Sequence, residues 1–275
     1  MAETVAVKGF DLKRQPGFGA VAVTCILFLY APIAILVIFS FNANRSVVRW
    51  SEFSLDWYKK ALANEGIQNA ALNSLEIAVF ATVFATTAAT MAALATTRVK
   101  AYRGLTAAYT VLNLPLMVPE IVTGISTLAF FALLRTSFGL NFGDFGVMIA
   151  HTVFCIPFAY MPIRARLENM DLTLEQAAAD LYAKPWPVFR RITLPLMAPG
   201  IISGAMLAFI ISLDDVIITL MVAAPGQTTL PIYILGQIRR GVTPEVNAVS
   251  SILLAISILL VTLLFLLGRK GKSAR

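Results

Sequence analysis

Six long apolar segments divide this chain, and short polar segments join them. The apolar segments are residues 19–41, 71–97, 105–134, 147–162, 199–222 and 248–267. About 20 apolar residues form a helix long enough to cross the roughly 30 Å hydrocarbon core of a bilayer. The pattern therefore predicts an all-α integral membrane protein with six transmembrane helices. The third helix should bend or break, because it contains Pro115 and Pro119.

The six segments predict one membrane domain over residues 19–268, with a polar segment, 1–18, before it and a basic tail, 269–275, after it. The first apolar segment follows Lys13 and Arg14, as in a signal peptide. Its apolar run is longer than the 7–15 residues typical of a signal peptide, and no clear cleavage site follows. We therefore expect this segment to be retained as the first span.

Composition supports a location in the membrane. Of the 275 residues, 58% are hydrophobic and 13% are charged, whereas soluble domains average about 45–50% apolar residues. The mean hydropathy is +0.79. The chain is short enough to form one domain, and no linker or internal repeat divides it.

Basic residues lie mostly on one side of the predicted spans. Fifteen of the 22 Lys and Arg residues fall in the two terminal segments, in residues 98–103 and in residues 163–198. Because loops rich in Lys and Arg remain in the cytoplasm, we expect both termini and the loop after the fourth span to be cytoplasmic. The net charge of +7 is then an orientation signal and an attraction to anionic lipid. It predicts no nucleic-acid partner.

The loop between the fourth and fifth spans, here called the 171–195 loop, is polar but has a helical pattern. Thr173 and Gln176 have the spacing of a capping box, and Pro185 should end the helix that begins there. Pro187 can open a second short segment. An apolar stripe, suited to a groove in a partner protein, is formed by Leu174, Ala177, Ala178 and Leu181. The alternative is a helix that lies on the lipid surface.

Four carboxylates fall inside the predicted spans: Glu76, Glu120, Asp214 and Asp215. Each buried charge costs about 2.5–3.5 kcal/mol in the membrane, and these spans contain no clear Lys or Arg partner. A cationic cargo would offset the cost, and so would protonation or hydrogen bonds at bent helices.

The four acids differ in their expected roles. Glu120 is the better candidate for a substrate pathway, because it follows Pro119 where the third span should break. Glu76 is as well suited to a structural or gating role as to a place in the substrate pathway. Asp214 and Asp215 would point about 100° apart on a continuous helix, so at most one of them should face the pathway.

The 171–195 loop resembles the cytoplasmic loop of ABC-importer permeases, which reads E-A-A, three residues, G, nine residues and I-x-L-P. Here the spacing runs from Gln176-Ala177-Ala178 through Tyr182 to Ile192-Thr193-Leu194-Pro195, with Gln176 at the motif's glutamate and Tyr182 at its glycine. Further motifs resemble the second permease subunit of spermidine/putrescine importers of type I fold. They are Tyr30-Ala31-Pro32, Ser40-Phe41-Asn42, Ser212-Leu213-Asp214-Asp215 and Thr243-Pro244-Glu245-Val246-Asn247-Ala248.

The resemblance implies a permease subunit of the bacterial inner membrane that moves a polyamine or another small organic solute. Its partners would be a second homologous permease, two ATPase subunits and an external solute-binding protein. The residues that would couple to the ATPase are Leu174, Glu175, Gln176, Ala177, Ala178, Asp180, Leu181, Tyr182 and Ala183. ATP and Mg²⁺ would be used by the partner ATPase, because the glycines near Gly268 do not form a phosphate-binding loop.

Two other function classes fit parts of the sequence. A membrane enzyme would need a cluster of catalytic or metal-binding groups, and His151, the only histidine, lies at no ligand spacing from a cysteine or carboxylate. An ion- or proton-coupled carrier could use the intramembrane acids. The 171–195 loop separates these possibilities, because only an importer of the ABC kind needs an ATPase bound there.

Overall fold

The computed structural model describes residues 17–44, 49–99, 102–143, 145–224, 226–241 and 243–270. Nearly all of the predicted N-terminal segment and most of the predicted basic tail lie outside the described residues. The described residues form helices and connecting loops, with one isolated antiparallel bridge between Asn42 and Phe53. The prediction of an all-α fold is therefore confirmed.

Twelve α-helices and one π-helical turn are found in the described part of the chain. They are α1 (Phe18–Phe39), α2 (Asp56–Ala63), α3 (Glu65–Thr97), α4 (Leu105–Met117), α5 (Glu120–Phe138), α6 (Phe145–Glu168), α7 (Thr173–Asp180), α8 (Pro185–Val188), the π turn (Phe189–Thr193), α9 (Leu194–Asp214), α10 (Ile217–Val222), α11 (Leu230–Arg240) and α12 (Pro244–Lys270).

Within the described residues, five helical segments are long and apolar enough to cross a membrane. They are Gly19–Phe39, Glu65–Thr97, Glu120–Phe138, Phe145–Glu168 and Pro185–Asp214. Shorter apolar helices cover Leu105–Met117 and Pro244–Leu259, and the second of these continues in α12 to Lys270. Each predicted span thus corresponds to at least one apolar helix.

Two predicted spans are each built from two helices. The third breaks between α4 and α5, as expected, because Pro119 disfavours a helical conformation at the residue before it, and Val118 is extended with ψ 137°. The fifth was predicted as one helix over 199–222, and this is wrong. Helix α9 ends at Asp214, Asp215 is extended with ψ 131°, and α10 begins at Ile217.

Small residues bring α3, α6 and α9 close together in the core. Ala85, Ala89 and Ala93 of α3 repeat at four-residue intervals and are fully buried. Gly200 and Gly204 form the matching stripe on α9, and a Cβ added to Gly204 would lie 2.6 Å from the carbonyl oxygen of Ala159 on α6. Helices in lipid gain little from the hydrophobic effect when they associate. Small residues let their backbones approach closely, and the resulting van der Waals packing stabilises the bundle.

Helix α3 connects the two ends of the bundle. Asn64 is the residue just before α3. Its side chain accepts a hydrogen bond from Gly66 N and donates one to Glu245 Oε1 of α12 at 2.9 Å. Nearby, Leu230 N of α11 donates to Ser74 Oγ at 2.7 Å. The other end of α3 meets the 171–195 loop, so α11 and that loop lie at opposite ends.

Candidate functional site

The break between α9 and α10 is organised by Asp215. Its side chain is 1% exposed. Oδ1 accepts hydrogen bonds from Thr219 N at 2.9 Å and Thr219 Oγ1 at 3.2 Å, and Oδ2 accepts one from Ile218 N at 3.4 Å. The carboxylate therefore satisfies amide groups in the first turn of α10 that have no partner within the helix.

His151 on α6 joins both sides of this break. Its Nδ1 lies 2.8 Å from Ser212 Oγ on α9, and its Nε2 lies 2.8 Å from Thr219 Oγ1 on α10. The Nε2 atom is also 3.4 Å from Asp215 Oδ1. Sequence reasoning considered His151 only as a metal ligand and missed this role. A lone histidine in a span that also faces Ser and Thr residues is the signal that could have found it.

Glu120 reaches the same cluster from the other helix break. It is the first residue of α5, directly after Pro119, and its carboxyl group interacts electrostatically with that of Asp215. The two breaks meet because α5 packs tightly against α10: a Cβ added to Gly124 would lie 3.1 Å from Cγ of Met221. Two adjacent carboxylates repel each other unless a proton or a cation lies between them. The pair can therefore share a proton or attract a cation.

Asp214 and Asp215 have different surroundings. The expectation that they project from one continuous helix is wrong, because the backbone turns extended at Asp215. Asp215 is buried, whereas Asp214 is exposed and lines a cavity of about 580 Å³ between α1, α9, α11 and α12. The other lining side chains are apolar apart from Ser250 and Ser257. Asp214 is therefore accessible to a soluble cation and Asp215 is not directly exposed.

Glu76 is not part of this cluster. It is exposed on α3, and no hydrogen bond or ion pair reaches its side chain within the described residues. The structure therefore brings Glu120 and Asp215 together, with Asp214 next to Asp215 in the chain, and shows no contact of Glu76 with them. Among the described residues, no group of three or more His, Cys, Asp or Glu side chains is arranged to hold a metal ion.

In the 171–195 loop, α7 begins differently from the sequence prediction. The predicted capping box at Thr173 and Gln176 is wrong, since the N-cap residue is Leu172 and its side chain makes no capping hydrogen bond. Instead, Asp171 Oδ1 accepts a hydrogen bond from Thr173 N at 2.9 Å. This bond lowers the pKa of the Asp171 carboxyl from its ordinary value. Asp171 thus supplies the acceptor that the hydroxyl of Thr173 was expected to provide.

The end of α7 is a left-handed turn at Tyr182. Its φ is 57°, and it is the one non-glycine residue with positive φ within the described ranges. Tyr182 N donates to Ala179 O at 2.9 Å, and Ala183 N donates to Ala178 O at 3.0 Å. These two bonds form a Schellman motif, which glycine usually closes. The turn expected at the motif's glycine is therefore present despite the tyrosine.

The second half of the loop starts earlier than predicted. Pro185, not Pro187, is the first residue of α8, because the fixed φ of proline suits the first helical position. Trp186 and Phe189 stack with ring centroids 5.7 Å apart. The π turn then leads directly into α9.

Glu175 faces the bundle and not the outside. Its Oε1 accepts a hydrogen bond from Thr193 Oγ1 at 2.7 Å and lies 3.4 Å from Arg98 Nη2 at the end of α3. Within α7, Gln176 and Ala177 are exposed. The predicted apolar stripe is mostly uncovered in this chain, with Leu174 50% and Leu181 81% exposed. The loop therefore has an anchored inner face and a free outer face.

Known proteins resemble this chain over most of its length. Residues 85–270 match the family described as "Binding-protein-dependent transport system inner membrane component". The chain is 37% identical over 250 residues, 90% of this chain and 89% of the relative, to the putrescine transport system permease protein PotI of Escherichia coli (strain K12). It is 38% identical over 244 residues, 89% of this chain and 93% of the relative, to the spermidine/putrescine transport system permease protein PotC of Haemophilus influenzae.

A solved structure shares the fold. The chain superposes with a TM-score of 0.72 and 16% identity on a chain of a bacterial ABC transporter involved in the import of the acidic polysaccharide alginate, covering 91% of this chain and 93% of that one. At that identity the likeness shows the fold alone. The family match and the two relatives carry the assignment: this chain belongs to the family of binding-protein-dependent transport system inner membrane components.

Proposed function

We propose that this chain is the membrane-spanning subunit of an ATP-driven importer that carries a polyamine, putrescine or spermidine, into a bacterial cell. The relatives named for putrescine and spermidine transport support the cargo class. The observation that carries the proposal is the pair formed by Glu120 and Asp215 at two helix breaks, with Asp214 exposed beside it. A polyamine offers the ammonium groups that such a cluster attracts.

In this proposal the cargo meets Asp214 first. The exposed carboxylate neutralises an incoming ammonium group near the cavity beneath α11, and the Glu120–Asp215 pair attracts it further in. Because Asp215 is already hydrogen-bonded to α10, it acts on the cargo mainly through its charge. Glu120, the first residue of α5 beside Asp215, is the side chain that can turn toward the cargo.

The orientation follows from the basic residues. Arg98, Arg190 and Arg191 lie at the end of the bundle that carries the 171–195 loop, so this end faces the cytoplasm. Both termini are then cytoplasmic, and α11 lies at the external side. The complex contains a second homologous permease, two ATPase subunits and an external solute-binding protein, and lipid surrounds the exposed α1. ATP and Mg²⁺ act in the ATPase subunits.

Coupling uses the exposed face of the 171–195 loop. Leu174, Ala177 and Leu181 are available to a groove of the ATPase, while Glu175 fastens α7 to the end of α3 and to the π turn before α9. When the ATPase subunits close, they move α7, and the attached helices transmit the movement toward the helix breaks. The alternating exposure of the acid cluster then follows from the ATPase cycle.

The cargo role is tested with the complete importer in proteoliposomes. Uptake of labelled putrescine and spermidine is measured for a Glu120→Gln, Asp214→Asn double variant and for Glu52→Gln as a control, since Glu52 is an exposed acid in the loop after α1. We expect the double variant to lose at least tenfold in uptake rate and the control to match the unaltered protein. Normal uptake by a well-assembled double variant would contradict the pathway assignment.

The coupling role is tested separately with Ala177→Asp. A buried, unpaired charge in the groove should abolish ATPase association, because desolvating it costs several kcal/mol. Ala177→Ser serves as the control, because it alters the same position without adding a charge. ATP-independent uptake by the permease alone would instead favour an ion- or proton-coupled carrier that uses the Glu120–Asp215 pair as its proton site.

A further inference from the structure

Tyr182 occupies a backbone conformation that its side chain disfavours. At φ 57°, the Cβ of an L-residue crowds the following carbonyl oxygen, and only glycine adopts this region freely. The two Schellman hydrogen bonds from Tyr182 N and Ala183 N hold the turn in place. Glycine would form the same turn without the steric cost, so stability of the loop does not explain a tyrosine here.

The Tyr182 ring forms an exposed tip with two neighbours. Tyr182 is 95% exposed, Leu181 81% and Trp186 68%. We call these three residues the loop tip. Trp186 is held by its stack on Phe189, which is itself half-buried. Large apolar side chains that lie together on a surface mark an interaction site.

The position of the loop tip favours a protein partner over lipid. The helical segment Pro185–Asp214 has 30 residues and is therefore about 45 Å long, roughly 15 Å more than the hydrocarbon core. We expect Arg190 and Arg191, near its start, to lie at the headgroups, so the extra length extends toward the loop tip.

We propose that the Tyr182 ring inserts into the ATPase subunit and selects which ATPase this permease accepts. The proposal rests on the proposed function, which supplies an ATPase at this end of the bundle. A tyrosine gives a large contact area at a small loss of side-chain entropy. An ATPase surface that leaves no space for a ring would be excluded by the same side chain.

A glycine variant distinguishes a ring that contacts the ATPase from a strained backbone conformation at Tyr182 that has no role in binding. Tyr182→Gly removes the ring and relieves the backbone, so the two roles predict opposite results. The purified permease pair in detergent is titrated with the ATPase subunit that co-purifies with the native complex, and Kd is measured. We expect Tyr182→Gly to weaken binding about tenfold or more, as for interface tyrosines that act as anchors. Tyr182→Phe should stay within about threefold, because it keeps the ring.

Tyr102→Ala is the matched control. Tyr102 is 44% exposed and lies between α3 and α4, at the same end of the bundle but outside the 171–195 loop. Its loss should leave Kd unchanged. Equal or tighter ATPase binding by Tyr182→Gly would overturn the proposal.

Two further outcomes are distinguishable. If the Tyr182→Gly substitution leaves ATPase binding normal in detergent and weakens that binding only in nanodiscs that contain anionic lipid, the ring contacts lipid and the proposal is wrong. If the unaltered permease pair binds no ATPase, the proposed function itself fails. If the unaltered protein and Tyr182→Gly both bind the ATPase and take up cargo normally, the role of Tyr182 is refuted and the proposed function stands.

Discussion

Arg98 and Glu175 join the end of a core helix to the loop that has the free outer face. The guanidinium Nη2 lies 3.4 Å from the carboxylate Oε1, and both side chains are about one-fifth exposed, at 19% and 23%. Thr193 donates to the same oxygen at 2.7 Å. One carboxylate thus ties α7 to the end of α3 and to the π turn that leads into α9.

Loss of this carboxylate should loosen α7 without unfolding the bundle. We expect Glu175→Ala to reduce the free energy of local opening of α7 by about 1–3 kcal/mol, since a hydrogen bond and an ion pair with a charged group are lost together. Hydrogen–deuterium exchange of residues 173–180 measures this, and cargo-stimulated ATP hydrolysis should fall severalfold.

The control for this prediction is Glu168→Ala. Glu168 also pairs with an arginine, Arg164, at 2.8 Å, but it is exposed and forms a pair four residues apart on one helix. Such pairs contribute about 0–1 kcal/mol. If both variants leave exchange in 173–180 unchanged, Glu175 does not anchor α7.

The glycine stripe of α9 allows a second prediction. Gly204→Ala should destabilise the protein by about 1–3 kcal/mol, because the new Cβ would lie 2.6 Å from the backbone oxygen of Ala159 and force α9 away from α6. Thermal unfolding in detergent measures the loss. Gly236→Ala on α11 is the matched control: nothing lies within 4 Å of an added Cβ there, so the change should be neutral or slightly stabilising.

The buried histidine gives a third prediction. His151→Phe keeps an aromatic ring, in a slightly larger side chain, but leaves the hydroxyls of Ser212 and Thr219 without their ring partner, and we expect a loss of about 2–4 kcal/mol in stability to thermal unfolding. Thr82→Val provides the comparison. The Thr82 hydroxyl bonds only to the backbone of Ala78 in its own helix, at 2.6 Å, so its removal should cost little. Similar stability of the two variants would argue against a structural network at the helix break.

The start of α7 depends on pH through Asp171. Its folded pKa is lowered by the hydrogen bond from Thr173 N, so the stabilisation is present above the unfolded pKa and is lost as the pH falls through the folded pKa. Asp171→Asn keeps an acceptor oxygen at every pH and should remove this dependence. Asp171→Ala should speed amide exchange at Thr173 even at pH 7. Equal exchange in the alanine variant and the unaltered protein at pH 7 would show that the bond does not hold the first turn.

Local features of the sequence predicted much of this architecture. The lengths of the apolar segments anticipated each membrane helix, and Pro119 anticipated the break between α4 and α5. The capping box failed because a motif of two residues does not determine which of several nearby oxygens reaches the first amides. Asp171, two residues earlier, reaches Thr173 N instead. The break at Asp215 was missed because no proline or glycine marks it.

The roles of individual acids depended on packing. Glu175 was expected among the residues that couple to the ATPase, and the structure turns it toward Arg98 and Thr193. Helical periodicity describes one helix at a time, so it cannot tell which side of a short loop helix meets the rest of the bundle. Likewise, a histidine in an apolar span indicates that it needs polar partners, but the pattern does not tell which residues, here Ser212 and Thr219, approach its two ring nitrogens.

The sequence by itself determined that this protein is a helical membrane protein with a polar helical loop and acids within its spans. Apolar length, proline positions and the distribution of basic residues act locally, so they can be read along the chain. Only the tertiary structure decided that Glu120 and Asp215 meet, because this requires α5 to pack against α10 and two separate helix breaks to coincide. The charge that the cluster can hold is therefore a property of the fold.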